Sequence, residues 1–342
     1  MISVIIPSHN EEKIIDETIK SILNQSYRPD SVIVCLDNCN DRTKEIALGY
    51  DVEIFETFNN KDKKAGAINQ IFENRTFEKY VLIMDADTVL DKNVISEGIE
   101  FLEKNPDHAA VCSRAGIIKP EFKNLSEKIL WQIQHIEYSM FDSERIETRG
   151  NIKVSHGMCT IYRTKALNEI VFQRGIVYLN DCLTEDYELT LSLKKNGWKI
   201  STNLKMKAWT DVPLNIKELW KQRYRWLLGG IDSLKLHGYR KHTSSDILSH
   251  ILFIILFIIQ VGLISINIAY FKNIQIINGY IGIILFLSFI DNLYRSKYIQ
   301  KRNIIDYLFI ITVIPLLIYS LFNTAVLLYS YWLSIMNKKI SW

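Results

Sequence analysis

The stretch Tyr80-Val81-Leu82-Ile83-Met84-Asp85-Ala86-Asp87-Thr88 constrains the fold more than any other part of the chain. An apolar run of strand length stops abruptly at two carboxylates one residue apart. Such a run reads as a buried strand that delivers its C-terminal end to a polar crevice, the edge at which open α/β sheets bind ligands. Two carboxylates in D-x-D spacing resist joint ionisation unless a cation neutralises them, and a hard divalent cation does so with oxygen ligands and a substrate phosphate. In isolation an Asp-rich turn after a strand looks the same, so the rest of the chain must decide.

The N-terminal segment repeats the arrangement. Ile2-Ser3-Val4-Ile5-Ile6-Pro7 reads as a first strand, followed by Ser8-His9-Asn10-Glu11-Glu12 and by a helical pattern with Ile14, Ile15, Ile19, Ile22 and Leu23 on one side. Ser31 to Leu36 reads as a second strand, ending in Asp37-Asn38-Cys39-Asn40-Asp41 before another helix start. Strand, helix, strand, helix with polar residues at the strand ends is the pattern of a mostly parallel sheet. Asp41 fits a helix N-cap, whereas Asp37, at the strand tip itself, is the better nucleotide contact. Lys63-Lys64-Ala65-Gly66 opens a further helix, and Lys64 there is either a phosphate contact or half of a solvated lysine pair. A helix over about 93–104, a strand over 109–113 and a long helix over 123–147 continue the domain.

Hydrophobicity divides the chain in two. Up to about Gly230 charge and apolar residues are mixed as in a soluble enzyme, and from Asp246 onward come long Ile/Leu/Phe runs. Residues 1–230 therefore read as a soluble catalytic domain and 246–342 as a membrane domain. Its apolar segments are 247–270, 276–294 and 304–333, with Pro315 expected to kink the last or make it re-entrant. The segment from about 214 to 228, with Trp220, Tyr224 and Trp226, is amphipathic and aromatic and reads as a helix at the bilayer interface. Arg295, Lys297, Lys301 and Arg302 place the loop after the second segment in the cytoplasm, on the side of the catalytic domain; Lys338 and Lys339 in the tail conflict mildly with that topology. The apolar start at Ile2 is too short for a signal peptide. A net charge of +3 without a basic aromatic stripe argues against nucleic acid as a partner. The five cysteines lack C-x-x-C spacing and fit reduced, structural thiols.

Three further motifs follow: Gly157-Met158-Cys159-Thr160, Thr184-Glu185-Asp186 and Gln222-Arg223-Tyr224-Arg225-Trp226. The ordered series Pro7 to Glu11, Asp37, Lys64-Ala65-Gly66, Asp85-Ala86-Asp87, Thr184-Glu185-Asp186 and Gln222-x-x-Arg225-Trp226 resembles the family-2 inverting glycosyltransferases of GT-A fold. More narrowly it resembles their membrane-bound processive synthases of cellulose, hyaluronan and poly-N-acetylglucosamine. Gln134-His135-Ile136-Glu137-Tyr138 and Asn323-Thr324-Ala325-Val326 look most like the bacterial poly-N-acetylglucosamine synthases. The chain departs from the family pattern at a few places. The second strand tip reads Asp37-Asn38 where the family usually shows a pair of aspartates, and His9 stands where a tyrosine is common before Asn-Glu. Asp211 precedes Val212-Pro213 where a glutamate is usual, and the N-terminal spans of the processive synthases do not precede the domain.

The resemblance implies a multi-pass enzyme of the cell membrane with a cytoplasmic catalytic domain. Its donor is a UDP-sugar, UDP-N-acetylglucosamine above all, and its product a β-linked polysaccharide. It implies Mg²⁺ or Mn²⁺ at Asp85 and Asp87 and Asp186 as general base. Donor and acceptor contacts fall to Pro7, His9, Glu11, Asp37, Lys64, Glu185, Gln222, Arg225 and Trp226, with Arg225 on the diphosphate and Trp226 under the acceptor sugar. Without the resemblance, Asp186 also reads as a carboxylate at a helix N-terminus, and Arg225 and Trp226 as membrane anchors. Three spans are few for a polymer channel unless the chain oligomerises or recruits a small membrane partner. Transfer of one sugar to a lipid-linked or short acceptor therefore stays open, as does a catalytically silent scaffold or export subunit.

Overall fold

The computed structural model describes residues 1–148, 151–271 and 274–336. Its elements are, in order, β1 (Ile2–Ser8), α1 (Ile15–Leu23), β2 (Ser31–Leu36), α2 (Thr43–Ala47), β3 (Glu53–Glu56), α3 (Lys63–Asn74), β4 (Tyr80–Met84), β5 (Thr88–Leu90), α4 (Val94–Lys104), β6 (His108–Ile117), α5 (Leu125–Glu147), β7 (Cys159–Arg163), α6 (Thr164–Arg174), α7 (Glu185–Lys195), β8 (Lys199–Thr210) and α8 (Ile216–His237). After these come α9 (Ser244–Ile266), α10 (Ile274–Arg295), α11 (Ile304–Thr312) and α12 (Ile314–Ile335). Lys338 and Lys339 lie outside the described residues.

The strands form one sheet in the order β3-β2-β1-β4-β7-β6-β8-β5. From β3 to β4 it is parallel; β7 runs antiparallel to both β4 and β6, β8 parallel to β6, and β5 antiparallel to β8. The C-terminal ends of β1, β2, β4, β6 and β8 therefore share one edge, and β7 begins there, with Cys159 opposite Met84. Successive residues of β1 and β4 supply opposite faces: Val4, Ile6, Leu82 and Met84 pack on one side with α1 and α4, Ile5, Val81 and Ile83 on the other with α3 and α6. A strand apolar at every position is stable only if both faces are covered, which is why β4 sits mid-sheet. All five cysteines are free thiols, and burial pushes Cys35 up to about 12.

Several elements differ from the sequence expectation. α8 does not stop near 228 but runs to His237, with Gly229 and Gly230 in its interior. The apolar run 304–333 is two helices, broken at Val313 (φ 61°), with Pro315 in the first turn of α12, where its missing N–H costs nothing. α11 docks on α5: its capping-box residue Asp306 is buried and meets Gln132 and His135, the latter at 3.0 Å. Among the described residues, two helices are long and apolar enough to cross a membrane, Ser244–Ala269 and Ile314–Ile335.

Candidate active site

Every site residue singled out in the sequence, from Pro7 to Trp226, lines one cavity of about 1160 Å³ at the shared strand edge. At its β1–β2 end the buried Asp37 is held rigidly. Its Oδ1 accepts from Asn38 Nδ2 (2.9 Å), Thr57 Oγ1 (2.9 Å) and Asn60 Nδ2 (2.8 Å). His9 Nδ1 lies 2.6 Å from the Asp37 carbonyl, which can only accept, so Nδ1 carries the proton. Asn10, Asn38, Asn59 and Lys63 all have φ near +50° on the loops here. Asn tolerates that region, but Lys63 adopts it at a cost that clusters at ligand sites. Burial, and then Arg225, lower the Lys63 pKa, which places two cations near one another on this wall.

In the middle, the Lys64 ammonium bridges the Asp85 carboxylate and Glu185, the latter at 3.5 Å. Burial opposes the Lys64 charge, but Asp85 and Glu185 outweigh it and the pKa is raised. Gly157 makes this contact possible: a Cβ there would stand 2.6 Å from Lys64 Nζ and 3.0 Å from Asp85 Oδ2. Its backbone is fixed too, since Gly157 O accepts from Asp85 N at 3.1 Å. Gly157 N in turn donates to Asp186 Oδ2 at 3.2 Å. Asp186 sits in the first turn of α7, where Oδ1 accepts from Tyr187 N at 2.7 Å, so the helix-terminus reading is also met. Burial and the adjacent Glu185 push its pKa up to about 6, against the pull of Lys64.

Asp87 is pushed up to about 7, by burial first and then by Asp85 and Glu11; Thr210 Oγ1, donating at 3.1 Å from the end of β8, works the other way. Glu11 is itself raised, chiefly by burial. The carboxylates at this point crowd one another without enough positive charge. Among the described residues no three His, Cys, Asp or Glu side chains converge as a metal cage. The donor set therefore fits a hard divalent cation held by Asp87 and Asp85 together with ligand phosphates, not one caged by protein alone.

α8 closes the cavity. Gln222, Arg225 and Trp226 line it. Gly229 lets α8 touch the start of α7, because a Cβ would meet Thr184 and Leu183 at under 3.0 Å. Behind Trp226 lies the Arg223 guanidinium, 4.4 Å from the indole centroid, bound to Glu137 of α5 and, at 3.3 Å, to Tyr319 Oη of α12. The sequence did not single out Gly157, Thr210, Arg223 or Tyr319 for roles. Only Gly157 and Arg223 stood inside a recognisable motif, and the others are brought in by strand order and helix packing.

Residues 3–171 match the family described as Glycosyl transferase family 2. The poly-beta-1,6-N-acetyl-D-glucosamine synthase of Staphylococcus epidermidis is 30% identical over 240 residues, 68% of this chain and 55% of that protein. The enzyme of the same name from Staphylococcus aureus is 28% identical over 241 residues, with the same coverage. The chain thus spans about half the length of these curated relatives. Among solved structures, the mannosyltransferase PcManGT from Pyrobaculum calidifontis, in complex with GDP-Man and Mn²⁺, aligns over 98% of this chain and 87% of that one, with a TM-score of 0.58 at 15% identity, a likeness of fold. The chain carries a glycosyl transferase family 2 domain with a GT-A-like α/β fold.

Proposed function

We propose that the chain is a membrane-associated inverting glycosyltransferase that moves N-acetylglucosamine from UDP-N-acetylglucosamine to a growing β-linked polysaccharide. One observation carries the reading: Asp186, Lys64, Asp85, Asp87, Arg225 and Trp226, scattered over about 160 positions in the sequence, line a single cavity. The similarity to the poly-beta-1,6-N-acetyl-D-glucosamine synthases of Staphylococcus supports the sugar and the polymer. Residues up to about 230 form the catalytic part and the helices after 244 the membrane part, with the catalytic domain on the cytoplasmic face.

Asp37 and His9 take the nucleoside end of the donor. Lys63, Lys64 and Arg225 face its diphosphate, where Arg225 offers a planar fork to phosphate oxygens. Asp87 and Asp85 would hold a divalent cation, which when bound would offset charge on the departing UDP. Trp226 stacks under the acceptor sugar. Asp186 takes the proton of the acceptor hydroxyl as its oxygen bonds the anomeric carbon and the bond to the diphosphate breaks, a single displacement that inverts the centre.

The test supplies purified protein in lipid with labelled UDP-N-acetylglucosamine and Mg²⁺ or Mn²⁺, with Asp186→Asn alongside. Long polymer from the wild type alone is the expected result. A single labelled sugar on lipid would replace polymer synthesis by single transfer, and equal turnover by the variant would remove Asp186 from the mechanism.

A further inference from the structure

Two buried polar side chains in the cavity wall have no part in the reaction as described so far. His156 is 8% exposed, lines the cavity and stands one residue before Gly157, whose N–H holds Asp186. Its Nε2 lies 2.8 Å from the Ser113 carbonyl, which can only accept, so Nε2 carries the proton and Nδ1 is left as an acceptor. Burial, and then Arg145, lower its pKa to about 3, so the ring is neutral at ordinary pH. Among the described residues nothing donates to the buried Nδ1. Arg145, in the last turn of α5, lines the same cavity. There two guanidinium groups share one carboxylate. Asp142 accepts from Arg114 Nε at 2.9 Å and from Ala115 N at 3.2 Å, whereas Arg145 Nη1 stands off at 3.7 Å, beyond a hydrogen bond. That Nη1 is buried too, and among the described residues it has no acceptor.

Buried polar groups are normally paired, so an open donor and an open acceptor side by side in a cavity wall point to a ligand that supplies both complements. A phosphate or carboxylate would satisfy Arg145 but would set its own lone pairs against His156 Nδ1. A secondary amide carries a carbonyl oxygen that accepts and an N–H that donates, on separate atoms, and so answers both. Ala115, Tyr138, Phe141 and Met158 line the same cavity and belong to or pack on one apolar cluster, which suits a methyl group attached to that amide.

We infer that Arg145 and His156 recognise the acetamido group of a sugar in the cavity, Arg145 Nη1 donating to its carbonyl oxygen and its N–H donating to His156 Nδ1. The inference rests on the glycosyltransfer reading above and adds to it the residues that select N-acetylglucosamine over glucose. Donor and acceptor sugars both carry the group in that reaction, and the experiment tells them apart.

The experiment uses the full chain in phosphatidylcholine nanodiscs, with His156→Gln and Arg145→Met. Glutamine can still donate to the Ser113 carbonyl but places no acceptor at Nδ1, and methionine keeps an unbranched stem while Asp142 retains Arg114. UDP-N-acetylglucosamine and UDP-glucose serve as donors, and β-linked tetramers of N-acetylglucosamine and of glucose as acceptors. The quantity read is the ratio of apparent affinities (KM, or Ki for a sugar that is not transferred) between each acetamido sugar and its glucose counterpart. Such a ratio does not depend on how much of a variant is folded. It is expected to fall about tenfold in both variants, as for one lost hydrogen bond to a buried group, and to recover in part in Arg145→Lys, which keeps a donor. A fall in the donor comparison puts the recognised group on the donor sugar, and a fall in the acceptor comparison puts it on the acceptor. Ratios unchanged in both variants, or a wild type without preference for the acetamido sugars, would overturn the inference while leaving glycosyltransfer standing. So would inhibition by inorganic phosphate that Arg145→Met abolishes with the ratios unmoved, which would give Arg145 to an anion. Failure of the wild type to transfer N-acetylglucosamine at all would instead overturn the glycosyltransfer reading and the inference with it.

Discussion

At the scale of single residues, burial raises the pKa of Asp186, Asp87 and Glu11 in the site. A carboxyl whose pKa is raised is deprotonated only as pH climbs through the raised value, so a general base at Asp186 loses activity on the acid side. We expect kcat/KM to rise with pH and level off above about 6. In Glu185→Gln, which removes a neighbouring like charge, that limb should move to lower pH; a limb that stays put would show that Glu185 does not tune the base. Asp87, raised to about 7, binds a cation in competition with a proton, so Mn²⁺ affinity should strengthen from about pH 6 to about pH 8, and isothermal titration at both values reads this directly. Gly157→Ala drives a methyl into the Lys64–Asp85 contact and should cost at least about tenfold in kcat/KM with little loss of thermal stability. The acids were legible in the sequence because they fall in an ordered series of motifs, although each alone also reads as a turn or helix-terminus residue. That Lys64 reaches Asp85, and Thr210 reaches Asp87, was not, since neither contact is encoded by spacing along the chain.

At the scale of elements, the parallel half of the sheet announces itself through apolar runs ending in polar tips. The other half does not. β8, with Lys199, Lys205 and Lys207 along it, lacks a continuous apolar signature, yet it carries Thr210 and Asp211 to the site because it runs parallel to β6. β3 and β5 are too short to signal at all. The interface helix was expected only to about 228, short of the Gly229-Gly230 pair, and glycine costs a helix interior up to about 1 kcal/mol relative to alanine. Its use is packing: Gly229 is where α8 meets Thr184 and Leu183 at the start of α7. Gly229→Val should therefore push α7 off α8, destabilise the protein by about 1–3 kcal/mol through overpacking and lower kcat by shifting Asp186. A thermal melt beside an activity assay separates the two effects, and a fall in stability with kcat unchanged would show that α7 is held by other contacts.

At the scale of the whole molecule, the question is how the apolar helices after α8 bear on a cavity formed mainly by the sheet. The sequence showed no sign of the joint between them, because its members stand far apart: Glu137 on α5, Arg223 on α8 and Tyr319 on α12. Arg223 is buried, binds the Glu137 carboxylate and touches the Tyr319 hydroxyl, which itself donates to Glu137 at 2.8 Å. The same guanidinium backs the indole of Trp226. Charges buried this deeply persist because removing one partner strands the other, at about 3–5 kcal/mol. Glu137→Gln should therefore destabilise the fold, whereas Tyr319→Phe removes one hydroxyl and about 1 kcal/mol. If α12 sets the pose of Trp226 through this joint, Tyr319→Phe in nanodiscs should raise the acceptor KM several-fold and leave UDP affinity at the wild-type value. Equal acceptor KM in both proteins would mean that Trp226 takes its position from α8 alone, and that α12 and Trp226 are neighbours without being coupled.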